Sequence, residues 1–485
     1  MGVKDQLFAT KSIEALQKDA ADANLKKVLT ATDLALIGIG EIIGTGIFVL
    51  TGKAAHAYAG PGLMLSFVIS GIACAFAGLC YSELAAIAPT SGSAYSYVYA
   101  TCGELMAWII GWDLMIEYLI GAATVAVGWS QYLVAFINSF RDESNPLGAW
   151  WTNAPILFDA DKNTFISGAA CGDACGVINL PAVFIVALIT IFLCIGIRES
   201  AWFNHVVVSI KLVVVLIFLF ATFSYIKPEN WSPFIPPRTC DENGDCSYGF
   251  LGVLKASQIV FFAYIGFDSV STCSAETKNP KRDVPIGILG SLALCTVLYI
   301  LVSMNITGML PYKDIPVKAP LANAVTAVGM KWLGTLISIG GLCGITSVIL
   351  VSLLGQPRIF YSMAYDGLLP PVFARIHPTF KTPFYPTLLS GVICMVAAAF
   401  LPLDLLGDIT SAGTLFAFAL VSLATGILRY TRPELERPFK VPAGYLVSFL
   451  GFVCCLGLII PTGIATILRV VIWLVIGLVV YAFYG

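Results

Sequence analysis

Apolar runs of roughly twenty residues, the length that crosses a hydrocarbon core, recur from about residue 33 to the end of this 485-residue chain. Lipid leaves a backbone no water to bond, so such runs must satisfy their own N–H and C=O groups, and at this length they do so as helices. The composition agrees: 58% of residues are hydrophobic and 12% are charged, about half the charged share of a soluble domain. The chain therefore reads as an all-α polytopic membrane protein. Its formal net charge of -2 argues against nucleic acid as a partner.

Twelve transmembrane helices are predicted, at about 33–52, 62–86, 104–138, 181–197, 203–226, 250–272, 286–308, 333–355, 385–402, 410–428, 443–465 and 467–484. Residues 1–32 form an N-terminal tail. The tail lacks the short apolar core and small-residue cleavage site of a secretory signal, so the first span is expected to act as an uncleaved anchor. Its stretch "KDQLFATKSIEALQKDAADANLKKVL" reads either as an amphipathic surface helix or as a solvated tail. An even number of spans puts both termini on one side. That side carries sixteen lysines and arginines against nine on the other, which predicts cytosolic termini. The plasma membrane is the expected location, with a vacuolar or lysosomal membrane as the alternative.

The long loops at about 139–180 and 227–249 then face outward. They hold Cys171 with Cys175 and Cys240 with Cys246, candidates for disulfides of unassigned connectivity, and a glycosylation sequon at Asn230-Trp231-Ser232. Cysteines inside the apolar runs, such as Cys74 and Cys295, read as small packing residues. No metal-ligand spacing, catalytic triad, P-loop or cofactor motif appears, so neither an enzyme nor an ATP-driven pump is expected, and no cofactor.

Two of the spans are interrupted. "GIGEIIGTGIF", residues 38–48, places Gly38, Gly40, Gly44 and Gly46 around Glu41 inside the first span. Each glycine costs a helix about 1 kcal/mol relative to alanine, so the helix is expected to unwind there. Unwound backbone at membrane depth is tolerated only where it lines a cavity or is buried in protein. A small-residue packing face would explain the glycines alone, but an acid at that depth costs at least about 2.5 kcal/mol and marks a functional site. "FFAYIGFDS", residues 261–269, interrupts the sixth span at Gly266 and Asp268. Breaks five spans apart point to two inverted five-helix repeats with a binding site between them. Residues 33–226 and 250–428 would be the repeats of a ten-helix core, and residues 429–485 an added pair of helices.

The stretches "GIGEIIGTGIFVLTG" (38–52), "YSELAAIAPTSGSAYSYVY" (81–99), "FFAYIGFDSVSTCSAETKNPKRDVPIGI" (261–288), "QPRIFYSMAYDGLLP" (356–370) and "ERPFKVP" (436–442) closely resemble the cationic amino acid transporter family of the amino acid–polyamine–organocation superfamily. The resemblance implies a LeuT-like five-plus-five fold plus two helices, and carriage of amino acids by alternating access. It places the substrate carboxylate on the N–H groups of Gly44 and Gly46 and on Thr45, where a helix N-terminus favours an anion. The α-ammonium would meet carbonyls near Ile42 and Ile43 in the first span and between Phe262, Ala263 and Ile265 in the sixth. Phe262 would cover the site as a gate.

The resemblance also gives Lys211 a role. Sodium-coupled relatives hold an ion between helices one and eight, and proton-coupled or ion-independent ones place a lysine ammonium there. Lys211 sits too deep in "VVVSIKLVVVLIF" to snorkel easily, so it is a candidate for proton coupling, and protons are expected as a partner beside the amino acid and the bilayer. Asp268 matches an acid that couples gating to binding.

Asp113 and Glu117, four residues apart in "GWDLMIEYLIG", are expected on one helical face. Glu117 and Glu41 are candidates to meet a cationic side chain or a proton. The bland alternative for Glu117 and Asp113 is an internal pairing, with Lys211 or with backbone donors. Glu41 departs from the small residue or asparagine often found in the family. Ser352 would leave room for a long side chain. Glu83, Glu276, Lys281 and Arg282 read as inner-gate ion pairs or as interfacial charges. The expected activity is secondary active transport of arginine, lysine or ornithine by proton symport or exchange. The alternatives are a broad or neutral amino acid permease and an amino-acid-sensing receptor.

Overall fold

The computed structural model describes residues 7–22, 27–141, 147–159, 164–167, 175–195, 198–240, 246–378 and 382–484. Cys171, Lys4, Lys26, Lys162 and Lys381, named in or counted by the sequence reading, lie outside them. The described chain is almost wholly helical. Among the described residues, nine helical stretches are long and apolar enough to cross a membrane: Ala31–Ile87, Glu104–Asn138, Phe203–Tyr225, Gly249–Thr272, Pro280–Met309, Lys331–Tyr365, Leu403–Thr431, Gly444–Thr462 and Ile464–Phe483. Two shorter apolar helices cover Leu180–Ile195 and Phe384–Phe400.

Helix α1 is Ile13–Asp22 and α2 is Ala31–Ile42. A reciprocal capping box starts α2: the Thr30 side chain accepts from the Asp33 N–H, and the Asp33 carboxylate accepts from the Thr30 N–H. This pairing satisfies two of the N–H groups that a helix start leaves orphaned. The chain leaves regular geometry at Ile43 and Gly44. It resumes as a second half-helix whose segments Gly46–Leu50 and Ala54–Ala59 are wound with the wider π spacing. At Gly60-Pro61-Gly62 it turns into α3, Leu63–Ile87. Gly60 needs its positive φ of 57° there, and glycine meets that need without a Cβ clash. Leu29 bonds Glu276, and Ile87 accepts from Gln17 of α1, so both ends of Ala31–Ile87 lie beside the N-terminal segment.

The remaining helices are α4 Ser93–Cys102, α5 Glu104–Asn138, α6 Leu180–Ile195, α7 Arg198–Thr222, α8 Gly249–Phe261, α9 Pro280–Met309, α10 Pro320–Ala327, α11 Lys331–Tyr365, α12 Phe384–Phe400, α13 Leu403–Thr431, α14 Gly444–Ile459 and α15 Ile464–Tyr484. Four short strands form two hairpins: β1 Ile156–Asp159 with β2 Thr164–Ser167, and β3 Thr239–Cys240 with β4 Cys246–Ser247. Cys240 stands opposite Cys246 in the second, and both Cys175 and Cys240 are disulfide-bonded. The cysteines of the apolar runs are free thiols. The sequon asparagine is engaged, since the Asn230 amide donates to the Gly308 carbonyl at 2.7 Å.

Two expectations need correction. The eighth span does not end near residue 355: α11 runs on to Tyr365 through the tolerated Pro357, and Arg358, expected in a loop, is inside it. There Arg358 donates to Glu276 at 2.9 Å, because a long helix lifts it onto the short turn that follows the sixth span. The described part of the N-terminal tail is docked on the protein, with residues such as Phe8 left exposed. Leu16 is buried, the Gln17 amide donates to the Ile87 carbonyl at 2.8 Å, and Lys11 pairs with Asp366 at 2.5 Å. The Leu29 backbone brackets Thr277 in a parallel bridge. Its two ends thus bind the protein's own backbone, which lipid could not offer. The structure adds α4 between the second and third spans. Both chain ends meet at this face: the Glu104 N–H donates to the Ala9 carbonyl at 3.1 Å, and the Tyr481 hydroxyl donates to the Glu104 carboxylate at 2.8 Å.

A buried ion cluster closes the same face. Glu83 of α3 accepts from Arg429 of α13, lies 3.3 Å from Arg437, and accepts from the Val441 N–H at 2.8 Å. Glu83 is 1% exposed. Removing one partner of such a cluster strands the others in low dielectric. Glu83→Ala is expected to destabilise the protein by roughly 3 kcal/mol, read as a lower melting temperature in detergent. An unchanged melting temperature would show that the two arginines find other acceptors.

Candidate functional site

The two breaks face each other across the middle of the bundle. The first half, α2, ends at Ile42, and the second half opens with the Phe48 N–H donating to the Gly44 carbonyl at 3.1 Å. The amides ahead of Phe48 are therefore the orphan donors of a helix start. Opposite them, α8 gives way to a tight turn, Phe262–Tyr264, and the chain passes Gly266 at a φ of 119°. Helical winding returns at Ser269–Thr272. Gly46 is pressed against this turn: a methyl group there would overlap Ala263, its nitrogen included at 2.7 Å. Glycine is required because two backbones meet.

A small cavity of about 20 Å³ lies between the breaks, lined by Glu41, Ile42, Gly44, Thr45, Gly46, Glu117, Gly121, Val125, Phe262, Ile265, Val348, Ser352 and Thr410. That volume holds about one water, so the roomy pocket expected from Ser352 is not open in this conformation. Nine residues of the sequence reading line the cavity. Ile43 and Ala263 stand behind it as backbone, and Lys211, Asp268 and Asp113 lie outside it.

Glu41 accepts from the Ser352 hydroxyl at 3.0 Å. Its other oxygen, both Glu117 oxygens and the Thr45 hydroxyl are buried without a partner. Asp113 and Glu117 both face α13: Asp113 packs against Gly413, and Glu117 lines the cavity with Thr410 one turn away. The helix widens to π winding at Ile116–Ile120, and of the two acids only Glu117 reaches the cavity. Asp268 accepts from the Tyr118 hydroxyl at 2.8 Å, and Ser269 donates to that same hydroxyl at 3.2 Å.

Lys211 of α7 is completely buried. Its ammonium donates to the Gly40 carbonyl at 2.5 Å, the Ile43 carbonyl at 2.9 Å and the Ser347 hydroxyl of α11 at 3.0 Å. An ammonium has three donors, and all three are used. The lysine thus bolts the broken first span to α11 and is not hydrogen-bonded to any carboxylate. The internal pairing of Glu117 with Lys211, held open by the sequence, is absent from this geometry.

Residues 29–482 match the family model for amino acid permeases. The chain belongs to the amino acid permease family. This permease is 43% identical over 485 residues to the branched-chain amino acid permease BcaP of Bacillus subtilis, an alignment covering 100% of this chain and 98% of that one. It is 42% identical over 479 residues to the methylthioribose transporter of the same organism, covering 99% and 98%. It is also 36% identical over 422 residues to cationic amino acid transporter 4 of Mus musculus, covering 87% of the permease and 62% of the mouse protein.

Four polar contacts of the permease site escaped the sequence reading. Tyr299 of α9 donates to the Ile42 carbonyl at 2.5 Å and is 2.8 Å from the Ala263 carbonyl, so one hydroxyl serves both breaks. Tyr118, Ser347 and Thr410 were missed too. A signal existed for the tyrosines: each puts a hydroxyl inside a largely apolar run, "TVLYILV" and "MIEYLIG", and a buried hydroxyl needs a partner.

Proposed function

We propose that this permease is a secondary active carrier of amino acids that favours cationic side chains and works by alternating access, through proton symport or exchange. One observation carries the reading: an unwound point in the first span, with orphan amides at Gly44–Gly46, faces an unwound point in the sixth across a cavity that also holds Glu41 and Glu117. An amino acid's carboxylate suits the amides, since a helix N-terminus carries partial positive charge. The carboxyl groups of Glu41 and Glu117 have three oxygens without a donor, and a charge left unpaired in a dry interior is costly. A cationic group of the substrate or a proton supplies what is missing. Lys211 fills the place between α2 and α11 where a coupling ion would otherwise sit, which supports sodium independence.

The membrane arrangement in this proposal is LeuT-like. Ala31–Ile87 counts as two spans and the two shorter apolar helices join the rest, for twelve. The termini are cytosolic and the host is the plasma membrane. A neutral carrier is the second reading, favoured by the similarity to BcaP.

The test is uptake of labelled arginine, leucine and alanine into proteoliposomes, with and without an inward proton gradient and with sodium absent. Arginine uptake stimulated by the gradient supports the proposal. Leucine uptake with arginine excluded moves the substrate class to neutral amino acids. Binding without flux would overturn the carrier reading in favour of a sensor.

A further inference from the structure

The carbonyls that would receive a substrate's α-ammonium are already engaged. Ile42 and Ala263 share the Tyr299 hydroxyl, and Ile43 accepts from Lys211. Each keeps a second lone pair, but a carbonyl cannot carry a full negative charge. The Glu41 carboxyl group can. It is 5% exposed, lines the cavity with Gly44 and Thr45, and has one oxygen held by Ser352 and the other without a donor.

Its seat is shaped for it. Gly266 lies against the side chain so closely that a methyl group there would come within 2.5 Å of the Glu41 Cγ and 2.8 Å of its Cβ. The break in the sixth span therefore makes space for this carboxyl group. Lys211 has spent its three hydrogens elsewhere, so the protein's nearest buried cation is not the partner of the free oxygen.

The distances along the chain limit what that partner is. Glu41 precedes the carboxylate-binding amides of Gly44–Gly46 by only three to five residues, on the same break. In an α-amino acid the ammonium is one carbon from the carboxylate, whereas a side-chain cation is several bonds away. Glu117 enters from another helix, α5, and suits the more distant charge.

We infer that Glu41 is the counter-ion of the substrate's α-ammonium group, and so makes the site selective for a free α-amino group whatever the side chain. The inference rests on the carrier reading. It differs from a role in reading the side chain, because it predicts selectivity among compounds that differ only at the α-carbon.

The experiment is competition against uptake in proteoliposomes of whichever labelled amino acid the permease carries. L-Arginine is compared with 5-guanidinopentanoate, L-leucine with 4-methylpentanoate, and L-arginine with L-citrulline. Wild type is expected to prefer each amino acid to its des-amino partner. Glu41→Gln should reduce that preference at least about tenfold, the value of a charge-assisted hydrogen bond. It should leave the arginine-to-citrulline ratio within about threefold. Glu41→Asp keeps the charge but withdraws it by one methylene, and should fall between; it also carries the test if Glu41→Gln does not fold. An unchanged des-amino preference in both variants overturns the inference while leaving the carrier reading intact. So does a shift confined to the arginine-to-citrulline ratio, which would assign Glu41 to the side chain. A wild type that carries no amino acid overturns both.

Discussion

Lys211→Met is expected to lower uptake at least about 100-fold and to destabilise the protein by roughly 3–5 kcal/mol. The ammonium satisfies two carbonyls at the break of the first span and a hydroxyl of α11. Methionine matches its length and supplies no donor, leaving acceptors buried at about 1–3 kcal/mol each. The Ser347 hydroxyl also donates to the Gly40 carbonyl at 2.8 Å, which limits the loss. Uptake per folded molecule and the melting temperature in detergent separate the two effects. A Lys211→Met protein that melts lower but keeps more than about a tenth of its uptake would show that the bolt serves stability alone. In the same assay, replacing sodium by choline should leave wild-type uptake unchanged.

Gly46→Ala is the second large effect. A methyl group at this position overlaps the Ala263 backbone, which has no rotamer with which to yield. The second half-helix and the turn of the sixth span must separate, and a displacement of about 1 Å at a binding site costs on the order of 100-fold. Uptake should fall by that much. Gly407→Ala is the matched control: its methyl would stand 3.7 Å from Thr124, an ordinary contact, and replacing a helical glycine is mildly stabilising. Equal losses in the two variants would mean that the permease tolerates no added methyl group and that the contact at Gly46 is not special.

Both sites were approachable from the sequence, for different reasons. The breaks announce themselves locally, because four glycines around an acid contradict the apolar run that contains them. Lys211 does so as a charge deep within another such run. The partners do not. Tyr299 is 257 residues from Ile42, and Ser347 is 136 from Lys211; nothing in a helical run says which face meets which neighbour. Apolar periodicity is equally silent in a membrane, where lipid-facing and core-facing residues are both hydrophobic. The same silence hid the continuation of α11 to Tyr365 and the π winding at Ile116–Ile120. Hydropathy weighs single residues and is blind to backbone winding. The docked N-terminal segment was hidden by its composition, which is that of a solvated tail. Its attachment depends on Asp366 and on backbone groups far along the chain.

That attachment also sets an order of events during synthesis. Lys11 and Asp366 are 355 residues apart, so at ordinary translation rates the lysine waits about 20–70 s for its partner to be made. Thr277, which Leu29 brackets, arrives earlier, and the Gln17 acceptor at Ile87 earlier still. The segment is therefore fastened progressively, from the early helices outward. The ion pair that ties it to the eighth span forms only when most of the permease has been made, and the nascent chain emerges with this segment unlatched.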